Sequence, residues 1–397
     1  MKILQVNCVY KKGSTGKIVA DIHSELMMRG EQSIVCFGRG QREKEQDVYK
    51  TCGELYSKWN NVLSRITGLI YGGCFFSTRK LISVIKKEQP SVVHLHCING
   101  YFVNIYKLIS WLKNKKIKVL LTLHAEFMYT GNCGHAFDCE KWKNGCGHCS
   151  VFRKETGSFF VDRTHVSWKK MKKAFDGFDE LYVSSVSPWL MSRAVQSPIL
   201  KDKRHEVVLN GLDTAIFCYR PMKKLEENIV LHVTPDFNAK EDSLKGGRYV
   251  IELAKRMPSV QFIVVGRYAK EVNVPSNIQL LGEIRNQECL SEYYRKATVT
   301  LLTSARETFS MVLAESLCCG TPVVGFKAGA PEQICIKEYC AFAEYGDIDQ
   351  LQCLLERFLT RNPERYKIAE LAKEKYDKKK MVEKYVTLYK KIVGGGV

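Results

Sequence analysis

Two carboxylates eight residues apart, Glu307 and Glu315, bracket a run that can form a short helix. Met311 to Cys319 is made of helix-forming residues, Ser310 supplies the hydroxyl that caps a first turn, and Gly320-Thr-Pro322 ends the run. Glu307 then precedes the helix and Glu315 lies within it. The N–H groups of Phe309, Ser310 and Met311 sit where a helix leaves its donors unpaired and where the dipole favours an anion. With a carboxylate on either side to accept hydroxyl hydrogen bonds, the layout suits a ribose, a diphosphate and a second sugar. For the bare pair, the plain alternative is a solvated N-terminal charge and a surface residue.

A second kind of chemistry is written in Cys133, Cys139, Cys146 and Cys149, spaced Cys-x5-Cys-x6-Cys-x2-Cys. Four thiolates at that spacing suit a tetrahedral zinc, with His135 or His148 able to replace one ligand. Unmetallated thiols or disulfides are the alternative. Four protein ligands close the coordination shell, so a zinc here is expected to hold a loop and not to catalyse.

Downstream of Glu315, Gly320-Thr-Pro-Val-Val324 and Gly329-Ala-Pro-Glu332 complete a pattern that resembles the donor-site signature of the family 4 retaining glycosyltransferases. The resemblance extends to Pro188-Trp-Leu190 and Asn210-Gly-Leu-Asp213. It implies a GT-B architecture, two Rossmann-like doubly wound domains facing across a cleft. It gives Glu307 the hydroxyls of the transferred sugar and Glu315 the ribose. Lys245-Gly246 looks like the lysine that neutralises the donor diphosphate as the glycosidic bond breaks. His124 ends the apolar run Lys118 to His124, the carboxyl edge of a parallel sheet, and in the resembled family a histidine there contacts the donor sugar. The cysteine-rich segment after it is similar to one found in enzymes that build exopolysaccharide and colanic-acid-type repeats. The chain departs from the family pattern at Val233-Thr-Pro-Asp236, where an arginine often stands, and Arg267 and Lys240 are weak substitutes. The implied activity is metal-independent transfer, with retention, of a hexose-like sugar from a UDP- or GDP-sugar to a glycan or lipid-phosphate-linked acceptor. A non-catalytic, basic, zinc-carrying scaffold is the alternative from another class. A phosphorylase or epimerase is the alternative within the fold.

The elements that must position these residues alternate as a parallel α/β protein does. Strand-like runs fall at 2–7, 31–38, 91–97, 117–124, 180–186 and 206–210, and again at 228–234, 260–266, 278–282, 298–303 and 322–326. The 397 residues exceed one usual core, and 45% hydrophobic content is enough for two. The boundaries expected are 1–212 for the first domain, with an insert at 130–150, and 213–377 for the second. A last helix at about 378–397 is expected to return to the first domain. Gly13-Ser-Thr-Gly16-Lys17 follows the first strand and opens a helix, a place where Gly16 can approach the donor phosphate; a tight turn is the alternative. It is not a Walker A loop, since Lys11 and Ile18 stand where that motif needs Gly and Ser or Thr. His94 and His96 alternate on a strand and share one side. Asp347-Ile-Asp349 imitates a metal-binding Asp-x-Asp, but it opens a helix and reads as a cap.

Charge is unevenly spread: residues 1–200 carry 30 Lys and Arg against 16 Asp and Glu, whereas residues 201–350 carry 19 against 20. A basic first domain points to an anionic acceptor or an anionic membrane surface. The stripe Trp59, Leu63, Ile66, Ile70, Phe75 and Phe76 among basic residues is either membrane-interfacial or core. No nucleic-acid module accompanies the pI near 9.2. Met1 to Asn7 reads as a strand and not a signal peptide, and no run reaches the roughly 18 apolar residues of a spanning helix. The expected location is cytoplasmic, including the inner face of the membrane.

Overall fold

The computed structural model describes residues 1–221, 228–269 and 271–394; residues 222–227 of the expected second domain and the last three of the expected C-terminal helix lie outside them. Two units divide the chain, Met1–Leu209 together with the residues from Met381 onward, and Asn210–Lys380. In the first unit the strands are β1 (Lys2–Asn7), β2 (Gln32–Phe37), β3 (Val48–Lys50), β4 (Val92–Leu95), β5 (Val119–Leu123), β6 (Leu181–Ser185) and β7 (Arg204–Val207). They form one parallel sheet in the order β3-β2-β1-β4-β5-β6-β7. Apolar residues of β1, β4 and β5 pack on Ile18, Ile22 and Leu26 of the helix Gly13–Met28. The helix Lys378–Val393 adds Val382, Tyr385, Tyr389 and Ile392 to the same core, one face at spacings of three and four. The last helix therefore belongs to the first unit.

The second unit holds β8 (Ile229–Phe237), β9 (Gln261–Tyr268), β10 (Ile278–Gly282), β11 (Val299–Leu302), β12 (Val323–Phe326) and β13 (Cys340–Ala343). Their order is β10-β9-β8-β11-β12-β13, again parallel throughout. Such a sheet reverses direction between β8 and β11, and ligands of open α/β sheets bind beyond the strand carboxyl ends at that point. Three strands differ from expectation. The three-residue β3 and the edge strand β13 (Cys-Ala-Phe-Ala) lack the β-branched runs that mark buried strands, and β7 starts at Arg204 because it alternates exposed and half-buried residues with no apolar run.

The unit boundaries sit three residues from the expected 212/213 and 377/378. Leu212 N–H donates to the Tyr376 carbonyl at 2.9 Å and Lys378 N–H to the Leu212 carbonyl at 3.0 Å. Lys378 Nζ reaches Asp213 Oδ2 at 2.7 Å. The two connecting segments thus pair with each other inside the second unit.

Candidate active site

The switch point of the second sheet explains why residues far apart in sequence meet. Lys245 lies in the connection after β8 and Glu307 in the connection after β11, the two neighbouring strands at the reversal. The Lys245 carbonyl accepts from Thr303 Oγ1 at 2.8 Å, and the Leu244 carbonyl accepts from Ala305 N–H at 2.9 Å, so the two connections are stitched together. Gly246 is required there: its φ is +63°, and a Cβ would lie 2.2 Å from the Thr303 carbonyl oxygen. Lys245 Nζ donates to Glu307 Oε1 at 2.5 Å, both side chains being partly exposed. A charged donor and a carboxylate acceptor are thereby presented side by side.

The expected short helix spans Met311–Cys318. Ser310 holds φ +82° and its hydroxyl accepts from Leu313 N–H at 3.4 Å. Among the described residues, the N–H groups of Phe309, Ser310 and Met311 have no protein acceptor. Phe309 is buried edge-on against Tyr376, which fixes the turn from below. On the helix, Glu315 Oε2 accepts from Tyr294 Oη at 2.8 Å. Tyr294 is fully buried, and burial together with the adjacent Glu315 carboxylate pushes its phenol far above the usual range, so it stays a donor. One carboxylate is thus held by an ammonium and the other by a phenol, on either side of free backbone donors.

Two functional features were not legible as such. The Glu332 carboxylate accepts from Ala328 N–H at 3.2 Å and Gly329 N–H at 2.9 Å, and the loop it clasps exchanges backbone bonds with Glu307: Glu307 N–H to Ala328 carbonyl, 2.9 Å, and Ala330 N–H to Glu307 carbonyl, 3.1 Å. Gly329-Ala-Pro-Glu332 therefore fixes the backbone of Glu307. His232, on β8, is buried, its Nδ1 faces the Leu301 carbonyl at 3.0 Å, and its Nε2 has no partner. Burial, with Lys245 adding to it, pushes its pKa down to about 4, so the positive charge at this place belongs to Lys245. A lone histidine in an apolar strand gives no sequence signal of this. Arg267 and Lys240 are exposed, with Arg267 Nε donating to the Pro235 carbonyl at 3.2 Å. Asp347 caps the helix Ile348–Leu359 through Gln350 N–H at 2.9 Å, and Asp349 pairs with Arg256 at 2.5 Å.

In the first unit His124 follows β5 directly. Its Nε2 lies 3.2 Å from His96 Nδ1, and His94 and His96 do share one side, with ring centroids 3.8 Å apart. His94 in turn meets Tyr389 Oη at 2.6 Å and Thr122 Oγ1 at 2.7 Å. Burial holds His124 at about 4 and the other two well below the ordinary value, so all three are neutral. Gly16 is buried in the first turn of its helix, and a Cβ there would come within 3.1 Å of Val9 Cγ2.

The cysteine-rich insert is anchored by Glu126, fully buried, which accepts from Arg193 Nε at 2.6 Å, Tyr129 Oη at 2.9 Å and Ala136 N–H at 2.7 Å. Trp142 is buried beneath Arg193 and against Tyr129. Burial, with the neighbouring cysteines adding to it, pushes up the thiols of Cys133, Cys146 and Cys149, Cys146 to about 12. Gly131 N–H donates to Cys146 Sγ at 3.1 Å. Cys139 is exposed, and among the described residues no three His, Cys, Asp or Glu side chains converge as a metal-ligand set. Trp142 and the Glu126–Arg193 pair organise the protein part of this loop.

Residues 237–375 match the family model described as "Glycosyl transferases group 1". The chain is 25% identical over 331 residues to the N-acetyl-alpha-D-glucosaminyl L-malate synthase of Bacillus anthracis, covering 78% of this chain and 77% of that protein. It is 22% identical over 387 residues to an uncharacterized 41.2 kDa protein in the cps region of Klebsiella pneumoniae, covering 94% and 96%. Anabaena HepE in complex with UDP superposes with a TM-score of 0.65 at 14% identity, over 98% of this chain and 99% of that one, and HepE has also been solved with UDP-glucose. The matched segment holds Lys245, Glu307, Glu315 and Glu332 together, so the chain carries a group 1 glycosyltransferase domain in its second unit, and its two parallel-sheet units have the GT-B fold of a transferase.

Proposed function

We propose that the chain is a retaining glycosyltransferase that moves a hexose-like sugar from a UDP- or GDP-sugar to a growing surface glycan, of the exopolysaccharide, capsule or O-antigen type. The observation that carries this reading is the Lys245–Glu307 pair beside the unpaired N–H groups of Phe309, Ser310 and Met311. In the donor complex Lys245 turns from Glu307 to the diphosphate, and Glu307 is freed to accept hydroxyl hydrogen bonds from the transferred sugar. Glu315, held by Tyr294, accepts from the ribose. His124, neutral at physiological pH, is assigned a hydroxyl of the donor sugar.

The anomeric carbon–oxygen bond to the diphosphate breaks while the acceptor hydroxyl attacks from the same face. The hydroxyl proton passes to the departing phosphate oxygen, and the negative charge that builds there is met by Lys245 and the helix N–H groups. HepE bound to UDP and UDP-glucose supports a nucleotide-sugar donor, and the cps-region relative supports a surface-glycan acceptor. Nuclear magnetic resonance of the product formed from an α-linked donor tests the stereochemistry: an α-linked product is expected, and a β-linked product excludes retention.

The insert is proposed to take a structural zinc through Cys133, Cys139, Cys146 and Cys149. The influence of Cys146, Cys149 and Cys139 on the Cys133 thiol supports it, and binding has to draw the exposed Cys139 inward.

A further inference from the structure

The helix Glu54–Thr67 is amphipathic the wrong way round for a core element. Its buried residues are Ser57, Asn60 and Ser64, while Leu55, Trp59, Val62, Leu63 and Ile66 face solvent. Leu55 is 75% exposed and Trp59 73%. The polar face is satisfied by the protein: Ser57 Oγ donates to the Gly100 carbonyl at 3.1 Å, and Asn60 Oδ1 accepts from Cys74 N–H at 2.7 Å. Hydrogen bonds thus hold the helix in place while its apolar face is left outward.

The apolar surface continues on both sides. Phe76, 73% exposed at the start of the helix Phe75–Glu88, donates its N–H to Tyr56 Oη at 3.2 Å and packs its ring near that tyrosine. The strap carrying Phe159, Phe160 and Val161 is tied to the other end of the helix, where Phe159 N–H donates to the Arg65 carbonyl at 2.8 Å and Arg65 covers the Phe159 ring. Exposed Lys58 and Arg65 stand on this helix, exposed Arg79 and Lys80 on the helix that carries Phe76, and exposed Arg163 beside Gly68 at the helix end. The first unit as a whole holds 36 Lys and Arg against 19 Asp and Glu, while the second holds 25 against 23. Among the described residues no helix is long and apolar enough to cross a membrane.

We propose that this face is a docking surface for an anionic lipid bilayer. The helix lies in the interface with Trp59, Leu63 and Phe76 among the acyl chains, and the basic rim meets the lipid phosphates. Apolar burial alone would also fit a second copy of the chain, but two such faces would bring their basic rims together, and like charges oppose that pairing. The proposal rests on the first unit alone, so it stands or falls separately from the donor site of the second.

Cosedimentation of the full chain with vesicles of phosphatidylcholine, with and without phosphatidylglycerol, tests it. Binding is expected only with phosphatidylglycerol, falling at high salt, and weakened at least about tenfold by Trp59→Ser with Phe76→Ser. Both side chains are exposed, so unchanged circular dichroism and melting temperature are expected for that variant. Should it fail to fold, quenching of the unsubstituted protein by brominated lipid carries the test, since Trp59 is the one tryptophan classed as exposed among the described residues. Absence of binding, binding indifferent to phosphatidylglycerol or to the double substitution, absence of quenching, or a dimer that the double substitution dissolves would overturn the proposal.

Discussion

Lys245 and Glu307, sixty-two residues apart in the chain, meet at 2.5 Å because each follows one of two neighbouring strands where the second sheet reverses its order. In the proposed mechanism, removing either charge takes away an interaction made where charge develops on the leaving phosphate or the sugar. Lys245→Ala and Glu307→Gln are each expected to lower kcat by about 10² to 10³, with little change in melting temperature because both side chains are partly solvated. Steady-state kinetics beside thermal unfolding checks this.

Gly246→Ala separates position from charge. The methyl would enter the Thr303 carbonyl at a positive φ, so a loss of more than about 1 kcal/mol of stability is expected, accompanied by weaker donor binding although Lys245 is intact. Urea unfolding of this variant against Lys245→Ala gives the comparison: only the glycine substitution should shift the midpoint strongly.

Tyr294→Phe leaves Glu315 without the phenol that orients it. A loss of about 1 kcal/mol in donor binding, roughly fivefold in KM, is expected, with kcat nearly unchanged because the ribose is distant from the bond being broken. A fall in kcat at constant KM would place Glu315 at the reacting centre instead.

The buried histidines tie stability to acid. His124 and His232 are held at about 4, and His94 and His96 well below the ordinary 6.5, all mainly by burial. Between those values the unfolded chain binds more protons than the folded one, so stability is complete above about pH 6.5 and falls as pH drops towards 4. The loss is on the order of a few kcal/mol, read from urea midpoints across that range. Activity should show no step at the ordinary histidine value, because His124 stays neutral through it.

The cysteine insert is tested by metal analysis. Protein purified without chelator should carry about one zinc per chain if the four thiols close around it; metal-free protein with an unaltered melting temperature after added zinc would leave Glu126, Arg193 and Trp142 as the whole of its support.

The second unit was the more legible half. Glu307, Ser310, Glu315 and Gly320 lie within fourteen residues, so cap, helix and stop are local, and the helix was expected within one residue of its observed end. What joins Lys245 to it is strand order, which depends on pairings between distant segments that no local pattern encodes. Glu332 was visible as part of a motif, but its work on the Ala328 and Gly329 N–H groups depends on a loop conformation. The stripe from Trp59 to Phe76 was read as either core or interface, and periodicity alone gives the same signal for both. Ile70 is buried, while its neighbours Ile66 and Phe76 face water, and the deciding fact is the buried polar face of Ser57, Asn60 and Ser64.

The central claim is that Lys245 and the helix N-terminus bind the diphosphate of a nucleotide sugar. Isothermal titration of UDP- and GDP-sugars into the protein and into Lys245→Ala tests it most directly. The unsubstituted protein should bind a member of one base class, and Lys245→Ala should bind it at least about tenfold more weakly, as expected for a lost charge-assisted contact. Equal affinity in the two proteins, or no binding of any nucleotide sugar by the unsubstituted one, would contradict the account.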